Sequence, residues 1–398
     1  MAWWSGVCRW SKRALGRASE DGFAARLALF ACLALGACVE QARSADVVGE
    51  VASTHKKVAA AVALPAQIDV GEISVRTPPP PANPEVTSFF GEREDGPLRT
   101  ALLNGRIQKV EKGKGGRSLG FKLVLDTGEK AYFKADQTFS AANWFGEVAS
   151  YHLDRMLGIG RVPMVVSRTF PWESLAPAAG KDVRKAEIIV QGTQVQGALV
   201  AWVSGGLQPL PHQPGWERWV RVQHWPTSAI SPFQRPAVWA QQQANRSMVI
   251  SKEERTRRRL MRPEPDREDR AAELSDLVLF DYLTRNQDRW GGENANVLIR
   301  GAHGPLVFLD NGAAFEPGDP RPSLMEARIH TLQRFRRRTI AAVRAFDIER
   351  FRARLAKELI QPVLSEAQIA GLVARRQALL EWVAENEAAH GEAIWAWE

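Results

Sequence analysis

The sequence predicts an α+β fold with two lobes, an antiparallel sheet followed by a mostly helical part, and three stretches of the chain support this prediction. Between residues 106 and 134, strand-like runs alternate with a glycine-rich loop and a tight turn, as in an antiparallel meander. Between residues 341 and 387, apolar residues recur at spacings of three and four, which is typical of helices that cover a core. Residues 274–315 combine an apolar helical run with polar loops, and there we expect the chemistry.

The composition suits a globular protein with a sizeable core, because 45% of the 398 residues are hydrophobic and 25% are charged. The net charge of +8 is modest for a chain of this length, so we expect a basic solvated surface and no nucleic-acid partner. All three cysteines precede residue 40, and a disulfide within the folded part is therefore excluded.

The first 38 residues have the pattern of a bacterial secretory signal. Basic residues precede an apolar run over 27–38, which is too short to anchor the chain across a bilayer. The run ends in Leu-Gly-Ala-Cys at Cys38, which resembles a lipobox, the motif in which the cysteine carries a lipid. We therefore expect residues 1–38 to be a signal peptide. The mature protein would be extracytoplasmic and attached to the bacterial outer membrane through a lipid on Cys38. A chance match in an alanine-rich leader is the alternative.

The remaining chain divides into a linker and one large domain. Residues 39–88 are rich in alanine, valine and proline with little periodicity, which predicts a disordered tether. Residues 89–398 would form the folded domain, with an N-lobe over about 89–202 and a C-lobe over about 203–398.

A glycine-rich loop over residues 112–120 joins the first two strands of the predicted meander, 106–110 and 121–125. Such a loop can bring backbone amides to phosphate oxygens, and Gly115 and Gly116 at its centre are the candidates. Its glycines have no fixed spacing, so an ordinary flexible hairpin is the alternative.

A lysine and a glutamate follow the loop. Lys134 ends the third strand, and Glu147 comes 13 residues later, at the edge of the apolar arc of a helix predicted over 141–157. Kinases position ATP phosphates with a lysine on a strand paired to a glutamate on the next helix. A lysine that only reaches solvent is the alternative. We expect His152, on the same helix, to be a core or surface histidine and not a catalytic base.

Two aspartates end the elements of the 274–315 stretch. Asp288 follows the apolar helical run, and Asp310 follows two strand-like runs, 297–299 and 306–309. Phosphoryl transfer needs one acid to orient the attacking hydroxyl, and a second acid with an amide oxygen to hold the divalent ions on the phosphates. Asp288, Asp310 and Asn296 would fill these roles.

Five segments in this order resemble the secretory-pathway kinases of the Golgi casein kinase and four-jointed family. The likeness covers roughly residues 100–345, and five ordered motifs are more specific than any one of them. The segments are Phe-Lys-Ala-Asp at 133–136, Glu-Val-Ala-Ser-Tyr-His-Leu-Asp-Arg-Met at 147–156 continuing to Pro163, Gly-Ala-Leu-Val-Ala-Trp at 197–202, Phe-Asp-Tyr-Leu-Thr-Arg-Asn-Gln-Asp-Arg at 280–289, and Leu-Asp-Asn-Gly-Ala-Ala-Phe at 309–315.

This resemblance implies an atypical protein-kinase-like fold and a role for each matched residue. Lys134 would bind ATP phosphates, and Glu147 would position that lysine or help to bind metal. Asp288 would be the acid-base residue, and Asp310 would bind Mg²⁺ or Mn²⁺. Trp202 would lie near the adenine, where a strand leads into the connection between the lobes.

The amide ligand of the metal is less well defined by the resemblance. Asn296 directly precedes a strand, as the equivalent asparagine does in related kinases, and we prefer it to Asn294. Glu293 could supply a ligand instead.

We therefore predict a kinase that uses ATP and Mg²⁺ or Mn²⁺ to phosphorylate a serine or threonine hydroxyl of an extracytoplasmic protein. Because the family includes a glycan kinase, a sugar hydroxyl is an alternative acceptor. A pseudokinase that binds without catalysis is a second alternative, and a metal-dependent hydrolase is a distant third that would need more ligands.

Two further predictions concern structure alone. We expect Trp216, Trp219, Trp225 and Trp239 to pack locally and not to form a carbohydrate-stacking platform. Helices are predicted over 341–359 and 365–387, the second opened by a capping box of Ser365 and Gln368.

Overall fold

The computed structural model describes most of the chain after residue 86. All of these residues lie in one unit, Pro79–Glu398. The predicted signal peptide, the lipid site at Cys38 and nearly all of the tether lie outside the described residues, as do Gly115, Glu293, Asn294, Trp225 and Trp239. The described ranges are 87–114, 116–139, 141–211, 213, 215–224, 231–234, 264–290, 296–317 and 322–398.

A five-stranded antiparallel sheet forms the first lobe, with its strands side by side in the order 107–112, 120–125, 130–135, 194–201 and 165–171. Alternation along its strands places Phe121, Leu123 and Phe133 on the buried face, while Lys122 and Tyr132 pair on the other face. The strands of the predicted meander are all present. The elements are β1 Ser88–Phe89, β2 Arg93–Glu94, α1 Asp95–Asn104, β3 Ile107–Lys112, β4 Gly120–Leu125, β5 Lys130–Ala135, β6 Val165–Pro171 and β7 Gln194–Ala201.

Helix α2, Trp144–Met156, packs on β6 and β7 and corresponds to the helix predicted over 141–157. Eleven of its thirteen residues are buried, so both its apolar arc and its polar groups lie inside the protein. Helix α3, Trp172–Ala179, and the 3₁₀ helix Val183–Glu187 lie between β6 and β7 in the chain.

The second lobe is built around helix α4, Arg270–Thr284, in which every residue is buried. The lobe is mostly helical, and the predicted two-lobed α+β class is confirmed. In the part of the chain that the structure describes, no helix is both long enough and apolar enough to cross a membrane. The other elements are β8 Leu207–Pro209, the 3₁₀ helix Trp216–Arg218, β9 Leu298–Arg300, β10 Leu306–Val307, α5 Pro322–Ile329, β11 Phe335–Arg336, α6 Arg337–Arg344, α7 Ile348–Leu355, α8 Glu366–His390, the 3₁₀ helix Gly391–Ile394 and β12 Trp395–Trp397.

The prediction of one helix over 341–359 is wrong, because the chain there forms α6 and α7 separately. The side chain of Asp347 accepts hydrogen bonds from the backbone N–H groups of Glu349 and Arg350, at 2.9 and 3.2 Å. Asp347 is thus the N-cap of a new helix, which apolar spacing does not reveal. The capping box that opens α8 is confirmed, because Ser365 Oγ accepts from the Gln368 N–H and Gln368 Oε1 accepts from the Ser365 N–H.

Two of the four tryptophans expected to pack locally lie within the described residues. Trp216 and Trp219 are both buried, and the ring of Trp216 stacks on Trp290 with the centroids 5.5 Å apart. Because both side chains are buried, neither forms an exposed carbohydrate-stacking platform, in agreement with the prediction for these two residues.

A buried carboxylate at Glu358 ties the C-terminal part of the chain to the first lobe. Its Oε1 accepts from Arg99 Nη1 at 2.7 Å and lies 2.9 Å from His152 Nε2, while its Oε2 accepts from the Ser167 N–H at 2.8 Å. Burial alone would raise the pKa of Glu358, but these partners lower it to about 2. His152 is therefore a core histidine, as predicted, and its contact with Glu358 fixes helix α2.

Replacing Glu358 by glutamine should lower the free energy of unfolding at pH 7 by about 3 kcal/mol, because the pKa falls from 4.5 to about 2 on folding. A carboxylate with a lowered pKa stabilises the protein above its unfolded pKa, and this contribution is lost as the pH falls from about 4.5 to about 2. Urea unfolding between pH 7 and pH 3 measures the difference.

The matched control for this prediction is Glu366→Gln, because Glu366 also pairs with an arginine but lies on the surface. Exposed pairs contribute little, so this variant should unfold at nearly the same urea concentration as the parent. Equal effects of the two substitutions would contradict the role given to Glu358.

Candidate active site

Lys134, Glu147 and Asp310 meet at one point between the lobes. Lys134 Nζ donates to Glu147 Oε1 and to Asp310 Oδ1, the latter at 2.6 Å. The lysine comes from β5, the glutamate from α2 and the aspartate from the loop after β10. The side chain of Glu147 is 1% exposed, whereas that of Asp310 is 50% exposed. One carboxylate therefore orients the lysine from within, and the other faces the solvent side of the cleft.

Two glycines let helix α2 approach the Asp310 loop closely. A Cβ at Gly146 would lie 2.6 Å from the Asn311 carbonyl oxygen and 2.7 Å from that of Ala314. A Cβ at Gly312 would lie 2.9 Å from the Ala141 oxygen, and the Gly312 oxygen accepts from the Asn143 N–H. Asp310 itself has a φ of +65°, in the left-handed region that aspartate adopts more readily than most residues. Close packing thus aims its carboxylate at Lys134.

Replacing Gly146 by alanine should therefore lower the free energy of unfolding by roughly 1–3 kcal/mol, the usual cost of overpacking. It should also reduce any phosphotransfer activity, because the loop that carries Asp310 must move to admit the methyl group. Chemical denaturation and an activity assay measure the two effects.

Gly96→Ala is the control for this substitution, since Gly96 lies in helix α1 with nothing within 4 Å of the position that a methyl group would take. That variant should be neutral or slightly stabilised, because alanine favours a helix over glycine. An equally benign result for Gly146→Ala would show that the approach of α2 to the loop is less tight than these distances indicate.

One ammonium and two carboxylates share this point, so the ionised cluster carries one negative charge in excess. Attraction to Lys134 lowers the pKa of Asp310 and keeps its carboxylate ionised. Burial raises the pKa of Glu147, and the charge of Lys134 offsets this only in part. For Lys134, burial acts to lower the pKa, but Asp310 and Glu147 outweigh it and raise the pKa above its ordinary value. The cluster is thus suited to attract a cation.

Asp288 lies in the loop after helix α4 and is exposed. Asn296 Nδ2 donates to Asp288 Oδ2 at 3.2 Å and to the Asp288 carbonyl oxygen at 3.3 Å. Asn286 accepts from the Asp288 N–H and donates to the Asp310 carbonyl oxygen, each at 3.3 Å. Asn286 thus joins the two aspartate loops, and Asn296 contacts Asp288.

Arg289 fixes both loops to helix α4, a role that was not predicted from the sequence. Its Nε donates to both carboxylate oxygens of Asp281 at 3.1 and 3.3 Å, its Nη2 to Asn311 Oδ1 at 2.5 Å, and its Nη1 to the Leu309 oxygen. Asp281 is a buried carboxylate whose pKa burial raises to about 6 against the pull of Arg289. The signal was present, since an aspartate inside an apolar helix needs a buried partner.

Of the remaining predicted nucleotide residues, Gly116 and Trp202 lie within the described part of the chain. Gly116 has a φ of +77°, which only glycine adopts readily, while Gly115 lies outside the described residues. Trp202 follows β7, is 42% exposed, and has the Lys122 ammonium 5.1 Å from its ring centroid. Its N–H donates to the Lys130 oxygen at 2.9 Å, so it lies at the opposite end of β5 from Lys134.

The donor set fits a divalent ion that arrives with phosphates. No group of three or more His, Cys, Asp or Glu side chains that could hold a metal occurs among the residues described. Mg²⁺ characteristically takes one or two carboxylates and fills its remaining positions with water and substrate phosphates. Asp310 and Glu147 match that pattern, whereas a metal-dependent hydrolase needs more protein ligands than this part of the chain offers.

Similar solved structures identify the class of fold. A hydra Fam20 structure with sugar superposes with a TM-score of 0.53 at 19% identity, over 74% of this chain and 89% of that one. The Golgi casein kinase superposes with a TM-score of 0.54 at 17% identity, over 75% and 76%. Its complex with Mn and ADP gives 0.55 at 17%, over 75% and 77%. The chain therefore has the two-lobed kinase-like fold of these proteins.

Two relatives match this chain in sequence. The chain is 24% identical over 262 residues to the glycosaminoglycan xylosylkinase of Danio rerio, which covers 58% of each chain. It is 35% identical over 86 residues to that of Homo sapiens, covering 19% of this chain and 21% of that one. No protein-family model matches the chain. The matched part of this chain covers less than two thirds of the length of these relatives. The predicted resemblance to secretory-pathway kinases is confirmed in fold and in sequence.

Proposed function

We propose that this protein is a kinase that transfers the γ-phosphoryl group of ATP to a hydroxyl, with Mn²⁺ or Mg²⁺ as cofactor. The observation that carries the proposal is the Lys134 ammonium held between the buried Glu147 and the half-exposed Asp310. The fold, shared with a casein kinase that is known with Mn and ADP bound, supports it.

Each residue of the cluster has a role in this reaction. Lys134 would bind the phosphates, and Glu147 would hold its ammonium in place and help to bind metal. Asp310 would be the main metal ligand, since its carboxylate is both ionised and accessible. The metal, when bound, supplies positive charge that neutralises the phosphate oxygens. Gly115, Gly116 and Trp202 are proposed to contact the nucleotide. Asn296 remains the proposed amide ligand.

Asp288 would orient the acceptor hydroxyl and take its proton. The hydroxyl oxygen forms a bond to the γ-phosphorus as the bond from that phosphorus to the β,γ-bridging oxygen breaks, and ADP leaves with that electron pair. The proton passes late to the Asp288 carboxylate, because a loose transition state leaves little need for a strong base. The hydrogen bond from Asn296 would hold that carboxylate in position.

A serine or threonine hydroxyl of an extracytoplasmic protein is the proposed acceptor. A sugar hydroxyl is the second candidate, favoured by the sequence similarity to two glycosaminoglycan xylosylkinases. Export and attachment to a bacterial outer membrane through a lipid on Cys38 are also proposed, on the signal and lipobox patterns alone.

The test uses the purified full chain with ATP, with and without Mn²⁺ or Mg²⁺. A ligand that binds the folded state must raise the melting temperature, so a metal-dependent shift is expected. Transfer of labelled phosphate to dephosphorylated casein and to xylose-bearing glycans then separates the two acceptors. A shift without transfer to any acceptor would indicate a pseudokinase, and no shift with any nucleotide and metal would contradict the proposal.

A further inference from the structure

A short segment of the first lobe contacts the glycine-rich loop at several points. The loop, here residues 112–114 and 116–119, connects β3 and β4, and the Gly113 N–H donates to the Gly120 oxygen across its base. The segment, residues 182–187, contains the 3₁₀ helix Val183–Glu187 and lies between α3 and β7. We call it the clamp segment.

Two ion pairs join the clamp segment to the ends of the loop. Lys112 Nζ lies 3.1 Å from Asp182 Oδ2 at the stem of the loop. Near its tip, both terminal nitrogens of Arg117 donate to the Glu187 carboxylate at 2.7 Å. The guanidinium of Arg117 also lies 4.7 Å from the ring centroid of Phe139. The arginine is therefore held by a bidentate carboxylate and an aromatic face.

Arg184 binds the backbone of the loop between these two pairs. Its Nη1 donates to the carbonyl oxygens of Gly116 and Ser118, at 3.0 and 3.1 Å. Its Nε and Nη2 donate to Asp182 at 2.9 and 2.7 Å, which fixes the orientation of the guanidinium. In a trans peptide the N–H points opposite to the preceding carbonyl. The N–H of Arg117 is therefore turned away from the clamp segment.

Both the clamp segment and the loop are fastened to the chain that follows Lys134. The Thr138 N–H donates to the Glu187 oxygen at 2.8 Å. The Gln137 side chain accepts from the Leu119 N–H at 3.0 Å, which ties the end of the loop to the same stretch. In the sheet, Gly120 pairs directly with Lys134. A displacement of the clamp segment would therefore also shift the backbone next to Lys134.

The other side of the loop stem rests on Tyr132. A Cβ at Gly120 would lie 2.6 Å from the Tyr132 hydroxyl, and one at Gly113 would collide with the same atom. Because glycine has no side chain at either position, the Tyr132 ring packs directly against the backbone of the loop stem. The loop is thus held from below by Tyr132 and laterally by the clamp segment.

We propose that the clamp segment positions the glycine-rich loop for ATP, with Arg184 as its central positioning residue. The inference rests on the proposed kinase function, because it assigns this loop to the phosphates. Holding the loop in one conformation lowers the entropy lost when a ligand orders it. The Arg117 and Glu187 pair lies at the surface, and such pairs contribute little to global stability, so the effect should appear in nucleotide affinity more than in folding.

The first test measures steady-state kinetics of the full chain with Arg184→Ala and Arg184→Lys. Loss of two charge-assisted hydrogen bonds to the loop should raise the KM for ATP about tenfold, with kcat changed by less than about twofold. Lysine keeps the charge but lacks the planar fork, so Arg184→Lys should fall between alanine and the parent. Hydrogen exchange of the loop amides without nucleotide should rise in the same order.

The second test reverses the charges of the Arg117 and Glu187 pair. Arg117→Glu and Glu187→Arg should each raise the KM for ATP, and the double variant R117E/E187R should return it toward the parent value. A direct attraction between Arg117 and the phosphates would not be restored by moving the charge to position 187. The double variant therefore separates loop positioning from simple charge.

The chain offers a matched control in Arg93 and Glu129, a bidentate pair at the far turn of β4 and β5. Its side chains are 52% and 22% exposed, against 54% and 25% for Arg117 and Glu187. Reversing the control pair should leave the KM for ATP unchanged. The proposed role of the clamp segment would be contradicted if Arg184→Ala changed neither the KM for ATP nor the hydrogen exchange of the loop amides. It would also be contradicted if reversing the control pair changed the KM for ATP as much as reversing Arg117 and Glu187. A parent chain that binds no nucleotide would overturn the proposed function instead.

Discussion

Asp310→Ala should lower phosphotransfer about a thousandfold or more, because metal stabilisation of the phosphates is worth several kcal/mol and each tenfold costs about 1.4 kcal/mol. Asp310 combines a lowered pKa with a half-exposed carboxylate, which makes it the main ligand in the proposed site. The metal-dependent part of the melting shift with ATP should disappear with the activity. Transfer of labelled phosphate and a melting curve with ATP and Mn²⁺ measure the two losses.

Asp310→Asn separates the metal from the fold in this test. It preserves the size of the side chain, and Lys134 keeps its partner Glu147, so the variant should fold. Asp269→Ala removes a charge from an aspartate that is 59% exposed and should leave activity unchanged. Full activity of Asp310→Asn with Mn²⁺ or Mg²⁺ would rule out the metal role of this carboxylate.

Asp288→Ala should lower kcat by about a hundredfold to ten-thousandfold, the usual contribution of a positioned acid-base group. The loop backbone would stay in place, since the contact of Asn286 with residue 288 is to its backbone N–H. Nucleotide binding does not depend on this side chain in the proposed mechanism. The Kd for ATP and the metal-dependent melting shift should therefore match those of the parent while single-turnover transfer falls.

Asp288→Asn supports the same test with less change in structure, because its amide oxygen can still accept from Asn296 Nδ2. It removes the proton acceptor alone and should be impaired almost as much as alanine. Transfer at the parent rate by either variant would mean that another group orients the acceptor hydroxyl.

Local sequence patterns predicted the central strands, three of the helices and the residue types of the site. Period-two alternation marks β4 and β5, and Lys134 follows from the end of that pattern. The apolar run of α4 locates Asp288 just beyond the helix. The single helix predicted over 341–359 failed because Asp347 interrupts it with a capping hydrogen bond that apolar spacing does not register.

Contacts between distant parts of the chain could not be predicted in this way. Glu358 binds Ser167 across 191 positions, and Arg184 binds the carbonyls of Gly116 and Ser118 across 68 and 66. Every residue has a backbone carbonyl oxygen, so the residue type does not show which carbonyl accepts a hydrogen bond. An arginine can likewise pair with any of many acidic residues. Such partners are chosen by which groups the folded chain brings within hydrogen-bonding distance.

The two-lobed class, strands β3 to β5, helices α2, α4 and α8, and the lysine and acids of the site were predictable from the order of residues, because they depend on short-range periodicity and residue chemistry. The folded chain was needed to show that Lys134 meets Glu147 and Asp310 together, and that Arg289 holds both aspartate loops on Asp281. A buried charge is stable only beside a partner of opposite charge or a hydrogen-bonding group, and the packing of the whole fold decides which groups lie beside it.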